Sequence, residues 1–264
     1  MLDITKPCAV FLDIDGTLMS WASATELWSG KMSDYNAAAI ARAKANGHKI
    51  LINTGRGYAC LPRQLTADYP LDGYVTALGA AVEIGGETVY NNPIPKEKLE
   101  TLLDYLFQNR KPCRFQGHRA AVSLDFMGRV LTGWQNIDSR DAFYTALGDD
   151  YVSKITVDYD LKGEYLDFLR SMLNVYVSHD GGEACNAGNN KASGMMIALN
   201  ALQIPCERSV AMGDSVNDIE VLKAAGVAVV MGNAPESMRS AHCVVTDTCE
   251  NNGVGKALEA LGLA

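Results

Sequence analysis

Short, unbroken apolar runs recur near both ends of the chain and alternate with segments whose apolar residues lie three or four positions apart. The first kind of pattern predicts buried strands, and the second predicts amphipathic helices. The predicted strands cover residues 8–12, 48–53, 73–80, 209–213, 227–232 and 243–246. The predicted helices cover residues 34–46, 192–202, 215–225, 235–241 and 253–261, with a helix-like segment after residue 56. Because continuous apolar strands alternate with helices, we expect a parallel sheet covered on both faces.

The middle of the chain has a different pattern. The segment EIGGETVYNN predicts a hairpin that turns at Gly85 and Gly86. Strands are predicted at 113–115, 120–126, 154–157 and 175–178. Helices are predicted over residues 95–108 and 139–147, and one more helix is predicted between the last two strands. We therefore expect an α/β fold with a doubly wound, Rossmann-like parallel sheet in residues 1–84 and 182–264. An inserted α+β domain is expected in residues 85–181.

Composition narrows the functional class. The 264 residues are 48% hydrophobic and 20% charged, which is typical of globular proteins, and no apolar run is long enough for a membrane span. The N-terminal segment does not resemble a signal peptide. A net charge of −8 disfavours a nucleic-acid partner. The seven cysteines are scattered without a paired metal-binding spacing, so we expect a reducing, cytoplasmic setting.

Acidic and polar side chains follow the predicted strands where these strands end. Asp13 and Asp15 come after the first strand, Thr54 after the second, and Asp214 at the end of a later one. In an open parallel sheet, ligands bind outside the carboxyl ends of the strands, so these groups should converge in one crevice. Clustered carboxylates repel each other unless a cation is present, and oxygen ligands suit Mg²⁺.

Three further residues near this crevice complete the predicted site. Lys191 precedes a predicted helix and could hold a phosphate oxygen, while Asn217 and Asp218 follow Asp214 closely. This combination suggests that one acid of the first pair attacks phosphorus and that its neighbour handles a proton. A metal ion would make the acidic cluster tolerable.

Four short segments in this order carry a family resemblance: DIDGTL, NTGR, a lysine before a helix, and GDSVND. They resemble the four motifs of the haloacid dehalogenase-like superfamily, and more narrowly its Cof-like sugar-phosphatase branch. The resemblance covers residues 7–84 and 182–264. It implies a phosphoric monoester hydrolase that uses Mg²⁺ and acts on a small phosphorylated metabolite, with no nucleic acid, membrane or obligate protein partner.

The resemblance also implies a role for each acid. Asp13 matches the nucleophile that forms an aspartyl-phosphate, and Asp15 matches the general acid and base. Asp13 and Asp214 match the side-chain ligands of Mg²⁺, and Asp15 would add its backbone carbonyl. Asp218 would either hold a metal-bound water or orient Lys191.

The remaining residues of the motifs match a cradle for the phosphoryl oxygens. These residues donate hydrogen bonds from side chains or backbone amides, which stabilises the transferring group. They are Ile14, Thr54, Gly55, Lys191 and Asn217.

The position of the insert carries information as well. The spacing of the motifs leaves room for a domain only between the second and the third. In this superfamily that position resembles the larger α+β cap (type IIB), which covers the active site. We expect hinges near residues 83–86 and 179–183, where glycines could absorb the dihedral changes.

Two other functions remain open on the sequence. Some capped relatives are phosphomutases, and such an enzyme would want extra arginines in the cap to hold a bisphosphate. The arginines of the insert are scattered, which favours hydrolysis. A non-enzymatic binding role is the third option, and retention of both Asp13 and Asp15 disfavours it.

Overall fold

The computed structural model describes residues 3–20, 31–69, 71–158, 161–178, 181–240 and 242–264, which form two β-sheets and the helices that cover them. We call the eight-stranded sheet the large sheet and the six-stranded one the small sheet. Among the described residues, no helix is both long and apolar enough to cross a bilayer.

The large sheet is built from both ends of the chain. Its strands are β1 (Ala9–Leu12), β2 (Lys49–Asn53), β3 (Gly73–Thr76), β4 (Ala81–Ile84), β5 (Glu87–Asn91), β12 (Ser209–Gly213), β13 (Val227–Val230) and β14 (Val244–Val245). Their order is β14-β13-β12-β1-β2-β3-β4-β5. The first six strands in this order are parallel, whereas β4 and β5 extend the sheet as an antiparallel hairpin.

Helices pack on both faces of the large sheet. Side chains alternate along a strand, so β1 buries Val10 and Leu12 on one face and Ala9 and Phe11 on the other. The first face packs against α1 (Asp34–Ala45) and α8 (Gly253–Ala260), and the second against α6 (Lys191–Leu202) and α7 (Ile219–Ala224). A short helix, α2 (Arg63–Ala67), follows β2. The predicted α/β fold with a Rossmann-like sheet is confirmed.

The small sheet comes from the middle of the chain. Its strands are β6 (Cys113–Gln116), β7 (Ala121–Leu124), β8 (Gln135–Ile137), β9 (Lys154–Asp158), β10 (Leu173–Ser178) and β11 (Gly181–Asn186), in the order β10-β11-β9-β6-β7-β8. All neighbours are antiparallel except β7 and β8, which are parallel. The helices α3 (Lys96–Gln108), α4 (Arg140–Leu147) and α5 (Gly163–Arg170) bury their apolar sides in one cluster with this sheet.

The other face of the small sheet is polar. Arg114 on β6 lies opposite Thr156 on β9, which lies opposite Glu183 on β11, so the three side chains form a row across the strands. Their apolar sequence neighbours, such as Phe115 and Ile155, belong to the cluster on the helix-covered face. Strand alternation therefore presents a polar face beside a buried apolar one.

The predicted ends of the insert do not coincide with the places where the chain passes from one sheet to the other. The hairpin turn at Gly85 and Gly86 joins β4 to β5, and both strands belong to the large sheet. At the other end, Gly181 and Gly182 lie inside β11, which pairs in the small sheet. The chain therefore changes sheets several residues after the boundaries predicted at 84/85 and 181/182, and the glycines at these positions serve a turn and a strand.

The same pairing contradicts the predicted hinges. Residues 83–86 are fixed in the β4–β5 hairpin, and the described part of 179–183 is fixed in β11, while residues 179 and 180 lie outside the described residues. The chain instead passes between the two sheets after Asn91 and after Asn186. That the small sheet and its helices act as a separate cap domain stays a prediction.

Both crossings between the sheets meet in a cluster of three asparagines, which we call the asparagine cluster: Asn92, Asn186 and Asn189. The amide nitrogen of Asn189 donates to the Asn92 carbonyl at 2.9 Å, and that of Asn92 donates to the Asn189 side-chain oxygen at 3.0 Å. Asn186 donates to the side chain of Asn92 at 2.9 Å. The two chain segments are thus hydrogen-bonded to each other where they leave the large sheet.

Three smaller expectations also need correction. The helix predicted over 235–241 is only a 3₁₀ turn at Glu236–Met238, and residue 241 lies outside the described residues. The strand predicted over 73–80 ends at Thr76, because Ala77 and Leu78 adopt positive φ angles of 51° and 59°. The helix predicted from Ser215 begins as a 3₁₀ turn at Val216–Asp218.

Candidate active site

The acidic residues meet where the central strands of the large sheet end. β1 and β12 are parallel neighbours with Leu12 opposite Met212, so the residues that follow them, Asp13 and Asp214, lie side by side. Ligand oxygens of Asp13, Asp214 and Asp218 lie within 4.8 Å of one another. The predicted convergence of these carboxylates is therefore present.

Lys191 lies between two of these acids. It is the first residue of α6, whose start is fixed by a capping box between Asn190 and Ser193. Its ammonium donates to Asp13 at 2.9 Å and to Asp218 at 2.6 Å, and its side chain is completely buried. Burial alone would lower the pKa of Lys191, but the two carboxylates raise it above its usual range. Lys191 is therefore held as a buried cation.

Asp218 uses both of its oxygens within the protein. One accepts from Lys191, and the other accepts from the backbone amides of Asp214 and Ser215 at 3.1 and 3.0 Å. Gly213 makes this arrangement possible, because a Cβ there would lie 2.3 Å from the Asp218 carboxyl carbon. Of the two roles implied for Asp218, the orientation of Lys191 has a direct contact.

Asp214 is held from two sides. It accepts from the Thr17 hydroxyl at 3.0 Å and from the Asn233 amide at 3.3 Å. Gly16 lies against it with a φ of +79°, and a Cβ at that position would lie only 2.2 Å from an Asp214 oxygen. Burial and the neighbouring Asp218 carboxylate raise the pKa of Asp214 to about 7.

Asp13 shares this excess of negative charge. Burial raises the pKa of its carboxyl well above the usual range, although Lys191 opposes the shift. Lys191 must balance Asp13, Asp214 and Asp218 together, so a divalent cation would relieve the remaining repulsion. Because the donors are all oxygens, the cluster suits a hard ion such as Mg²⁺. Asp218 is the most heavily engaged of the three, since one of its oxygens accepts from the Lys191 ammonium and the other from two backbone amides.

Asp15 makes a separate ion pair. The Arg56 guanidinium donates to both of its oxygens, at 2.7 and 2.5 Å. Arg56 belongs to the NTGR segment after β2, and sequence reasoning gave it no role of its own. Two parallel hydrogen bonds fix both the position and the plane of a carboxylate, so Arg56 holds Asp15 in one orientation.

The predicted phosphate-binding residues lie around the same strand ends. Thr54 is buried directly after β2, and its hydroxyl oxygen accepts from the Arg56 amide at 3.2 Å. Ile14 is buried between the two acids of the first motif. The Asn217 amide nitrogen donates to Glu183 at 3.0 Å, and Glu183 also lies against Gly55.

A cavity of about 660 Å³ opens between this strand end and the polar face of the small sheet. Asp13 and Asp15 of the first motif and Thr54, Gly55 and Arg56 of the second line its floor. Its other walls come from the small sheet and from the segment after β12. The lining residues are Asp13, Asp15, Thr54, Gly55, Arg56, Arg114, Thr156, Val157, Asp158, Tyr176, Val177, Ser178, Gly182, Glu183, Ser215, Val216 and Asn217.

Sequence reasoning missed the charged residues of the small sheet at this cavity. Arg114 pairs with Asp158, and the buried Lys154 pairs with Glu183. Burial alone would raise the pKa of Glu183, but Lys154 and other donors lower it. Alternation in β9 places Lys154 and Asp158 on the polar face, and the sequence alone could have shown this. Their pairing with Glu183 and Arg114 on other strands could not be read from the sequence.

Comparison with known proteins identifies the family. A sequence model described as haloacid dehalogenase-like hydrolase matches residues 10–258, which is nearly the whole chain. The chain belongs to the haloacid dehalogenase-like hydrolase family. The predicted family is thus confirmed, and with it the predicted enzyme class of phosphoric monoester hydrolase.

Two relatives among the curated members of the family show how its functions vary. The 5-amino-6-(5-phospho-D-ribitylamino)uracil phosphatase YcsE of Bacillus subtilis is 26% identical, and the match covers 94% of this chain and 93% of that protein. The phosphoglycolate phosphatase of Methanobrevibacter smithii is 27% identical, over 95% of this chain and 97% of that protein.

Solved structures share the fold over almost the whole length. The phosphatase BT1666 of Bacteroides thetaiotaomicron, from the same superfamily, has a TM-score of 0.81 at 24% identity and covers 98% of this chain and 97% of its own. The subclass IIB sugar phosphatase BT4131 has a TM-score of 0.77 at 24% identity and covers 97% and 100%. These similarities show that the solved structures share the fold of this chain.

Proposed function

We propose that this protein is a Mg²⁺-dependent phosphatase that hydrolyses small phosphate monoesters, with sugar phosphates foremost, through an aspartyl-phosphate on Asp13. One observation carries the proposal. Asp13 lies at the end of β1 with the buried Lys191 ammonium 2.9 Å away and faces a cavity of about 660 Å³. A carboxylate beside a fixed cation at the floor of a small-molecule cavity is suited to attack a bound phosphoryl group.

In the first step, a carboxylate oxygen of Asp13 attacks phosphorus while the bond from phosphorus to the ester oxygen breaks. Asp15 donates its proton to the leaving oxygen, so the alcohol departs neutral. Before this step Asp15 takes up a proton on one oxygen and gives up one of its two hydrogen bonds from Arg56, and the remaining bond keeps the carboxyl at the cavity. The product of this step is a mixed anhydride of phosphate and Asp13.

In the second step, water attacks the phosphorus of this anhydride and Asp15 accepts a proton from it. Inorganic phosphate leaves and the Asp13 carboxylate is restored. In both steps Lys191, Asn217 and Thr54 hold the phosphoryl oxygens, together with the backbone amides of Ile14 and Gly55. Donors fixed in advance around the developing charge supply most of the rate enhancement in reactions of this type.

Asp13, Asp214 and the backbone carbonyl of Asp15 would hold the metal ion. When bound, Mg²⁺ offsets the negative charge of the acids and of the phosphoryl group, so that the two anions can approach. The raised pKa of Asp214, at about 7, fits a carboxylate whose charge is not balanced by the protein alone.

The charge balance of the cavity supports hydrolysis over phosphomutase activity, the alternative left open by the sequence. A mutase must hold a second phosphate, which requires a cation free to bind it. Each arginine that lines the cavity among the described residues is paired with a carboxylate, Arg56 with Asp15 and Arg114 with Asp158. The polar wall of paired charges, Thr156 and Ser178 suits a neutral leaving group with hydroxyls.

A screen of phosphorylated metabolites with Mg²⁺ tests the proposal. Release of inorganic phosphate is measured next to the formation of isomers, with Asp13→Asn as the matched control. We expect phosphate release from several sugar phosphates, none from a phosphoprotein or a polynucleotide, and none from the control. Formation of isomers without phosphate release would establish the mutase instead, and binding without turnover would contradict both.

A further inference from the structure

We infer that Glu183 is a positioning residue that aims the side-chain amide of Asn217 at the phosphoryl group and thereby couples the small sheet to the phosphate site. The inference rests on the proposed function, in which Asn217 donates a hydrogen bond to a phosphate oxygen. It adds a residue from the middle of the chain to a site that is otherwise built from its two ends.

The first support is the set of contacts around Asn217. Its side-chain nitrogen donates to Glu183 Oε2 at 3.0 Å, and its side-chain oxygen accepts from the Ser215 hydroxyl at 2.9 Å. A primary amide has two N–H donors and one acceptor oxygen, so these contacts fix which end is nitrogen. Glu183 takes one N–H, and the second is the donor that the proposed mechanism needs. A reversed amide would offer its oxygen to the phosphate and repel it.

The second support is the space beside Gly55. A Cβ at Gly55 would lie 2.8 Å from Glu183 Oε2 and 3.3 Å from the Asn217 amide nitrogen. Real Cβ atoms do not approach an oxygen that closely, so glycine at this position lets the carboxylate reach Asn217. Glu183 therefore touches two proposed phosphate-binding residues that follow different strands of the large sheet.

The third support is the charge on Glu183. A lone carboxylate this close to a bound phosphate would weaken binding by repulsion. The other oxygen of Glu183, Oε1, pairs with Lys154, whose side chain is 1% exposed. The pair is neutral as a unit, and its carboxylate can therefore lie beside a phosphate site. Because each of the two oxygens has its own partner, Glu183 binds Lys154 and Asn217 at the same time.

Glu183→Gln tests this arrangement at almost constant volume. A glutamine side chain has one acceptor oxygen, so it can satisfy Lys154 or Asn217 but not both. We expect the KM for the best sugar phosphate and the inhibition constant of inorganic phosphate to rise together. A rise of about tenfold is the order expected when a hydrogen bond that orients a group on a charged ligand is lost. We expect kcat to fall as well, because Asn217 also stabilises the charge that develops on the phosphoryl oxygens in the transition state.

An Asn217→Ala background separates positioning from a general structural effect. Without the amide there is nothing for Glu183 to orient, so we expect Glu183→Gln to add nothing further to KM in that background. Glu83→Gln is the matched control, since it makes the same chemical change at another contact between the sheets, 3.2 Å from His118. We expect that control to leave KM and the phosphate inhibition constant unchanged.

The outcomes are distinguishable. Absence of phosphatase activity in the wild-type protein would refute the proposed function. An active wild type in which Glu183→Gln raises KM by the same factor with and without Asn217 would overturn this inference alone. An unchanged KM with only a lower unfolding temperature would overturn it as well. If Glu183→Gln does not fold, because Lys154 has lost its partner, the Lys154→Met, Glu183→Met double variant removes both charges and leaves no acceptor for Asn217, and the same rise in KM is expected.

Discussion

The end of the large sheet and the polar face of the small sheet present charged groups to the same cavity, but they balance these charges differently. At the large sheet, Lys191 lies between Asp13 and Asp218, with Asp214 adjacent, so acids outnumber the cation. On the small sheet, the charged groups that the structure describes at the cavity form ion pairs, Arg114 with Asp158 and Lys154 with Glu183. The carboxylates at the large sheet therefore repel one another, whereas the paired charges on the small sheet neutralise each other.

This difference suggests that the end of the large sheet carries out the reaction and that the small sheet selects the substrate. A surplus of buried carboxylates attracts a cation and positions a nucleophile beside it, which supports bond breaking. Paired charges offer hydrogen bonds of both kinds without a net field, which suits recognition of hydroxyl groups and disfavours a second anion. Changes at the end of the large sheet should therefore reduce the rate for every substrate. Changes on the small sheet should alter the preference among substrates.

The largest expected effect is that of Asp13→Asn. The amide is a far poorer nucleophile than the carboxylate, and we expect kcat to fall by roughly 10⁴-fold or more, as for other catalytic nucleophiles. Phosphate release and circular dichroism measure activity and folding together. Substantial turnover by a folded Asp13→Asn protein would show that the surplus of acids has another purpose.

Removal of the metal ion should have an effect nearly as large. We expect EDTA to abolish phosphate release and Mg²⁺ to restore it, because Asp13 and Asp214 provide oxygen ligands. Mg²⁺ should also raise the unfolding temperature of the wild type more than that of Asp214→Asn, since a bound ion stabilises the folded state. Full activity with zinc alone would require a different set of ligands.

Asp158→Asn tests the balanced side of the cavity. It leaves Arg114 without its carboxylate partner, and the freed guanidinium can bind an anionic leaving group. We expect the ratio of kcat/KM for phosphoglycolate to that for a neutral sugar phosphate to rise about tenfold, the order of a single pocket contact. The measurement is a competition between the two substrates. An equal loss for both would place Asp158 among the groups that serve the rate.

The smallest expected effect on activity is that of Asp72→Asn, a control at the opposite end of the large sheet. Asp72 precedes β3 and accepts from Lys44 at 2.7 Å and from the Ile50 amide at 2.9 Å. Burial alone would raise the pKa of Asp72, but these donors lower it. We expect Asp72→Asn to lower the free energy of unfolding by about 1 kcal/mol at pH 7 and to leave kcat unchanged.

The same control has a pH dependence. Because the pKa of Asp72 is lower in the folded state, its contribution is fully present above the unfolded value of about 4 and is lost as the pH falls through the folded value. Urea unfolding of wild type and Asp72→Asn at pH 7 and at decreasing pH should therefore converge. A difference that grows at low pH would contradict the assignment.

The sequence predicted the residues of the large sheet well because its signal is local. Asp13 and Asp214 each follow an apolar run, and parallel neighbours must end at the same edge. The extent of the insert was predicted less well, since a glycine pair marks a turn without telling which sheet its strands join. Glu183 was missed because its strand, GGEACN, has little apolar alternation and its partners Asn217 and Lys154 are far apart in the chain.

The asparagine cluster has a consequence for how this architecture can vary. Asn92 and Asn189 bond to each other directly, so the segment between them begins and ends at one point on the large sheet. We therefore expect that these nearly one hundred residues can be lengthened, shortened or exchanged without moving the register of the strands in the large sheet. We expect a graft that keeps these two asparagines to retain the acids while changing what they act upon.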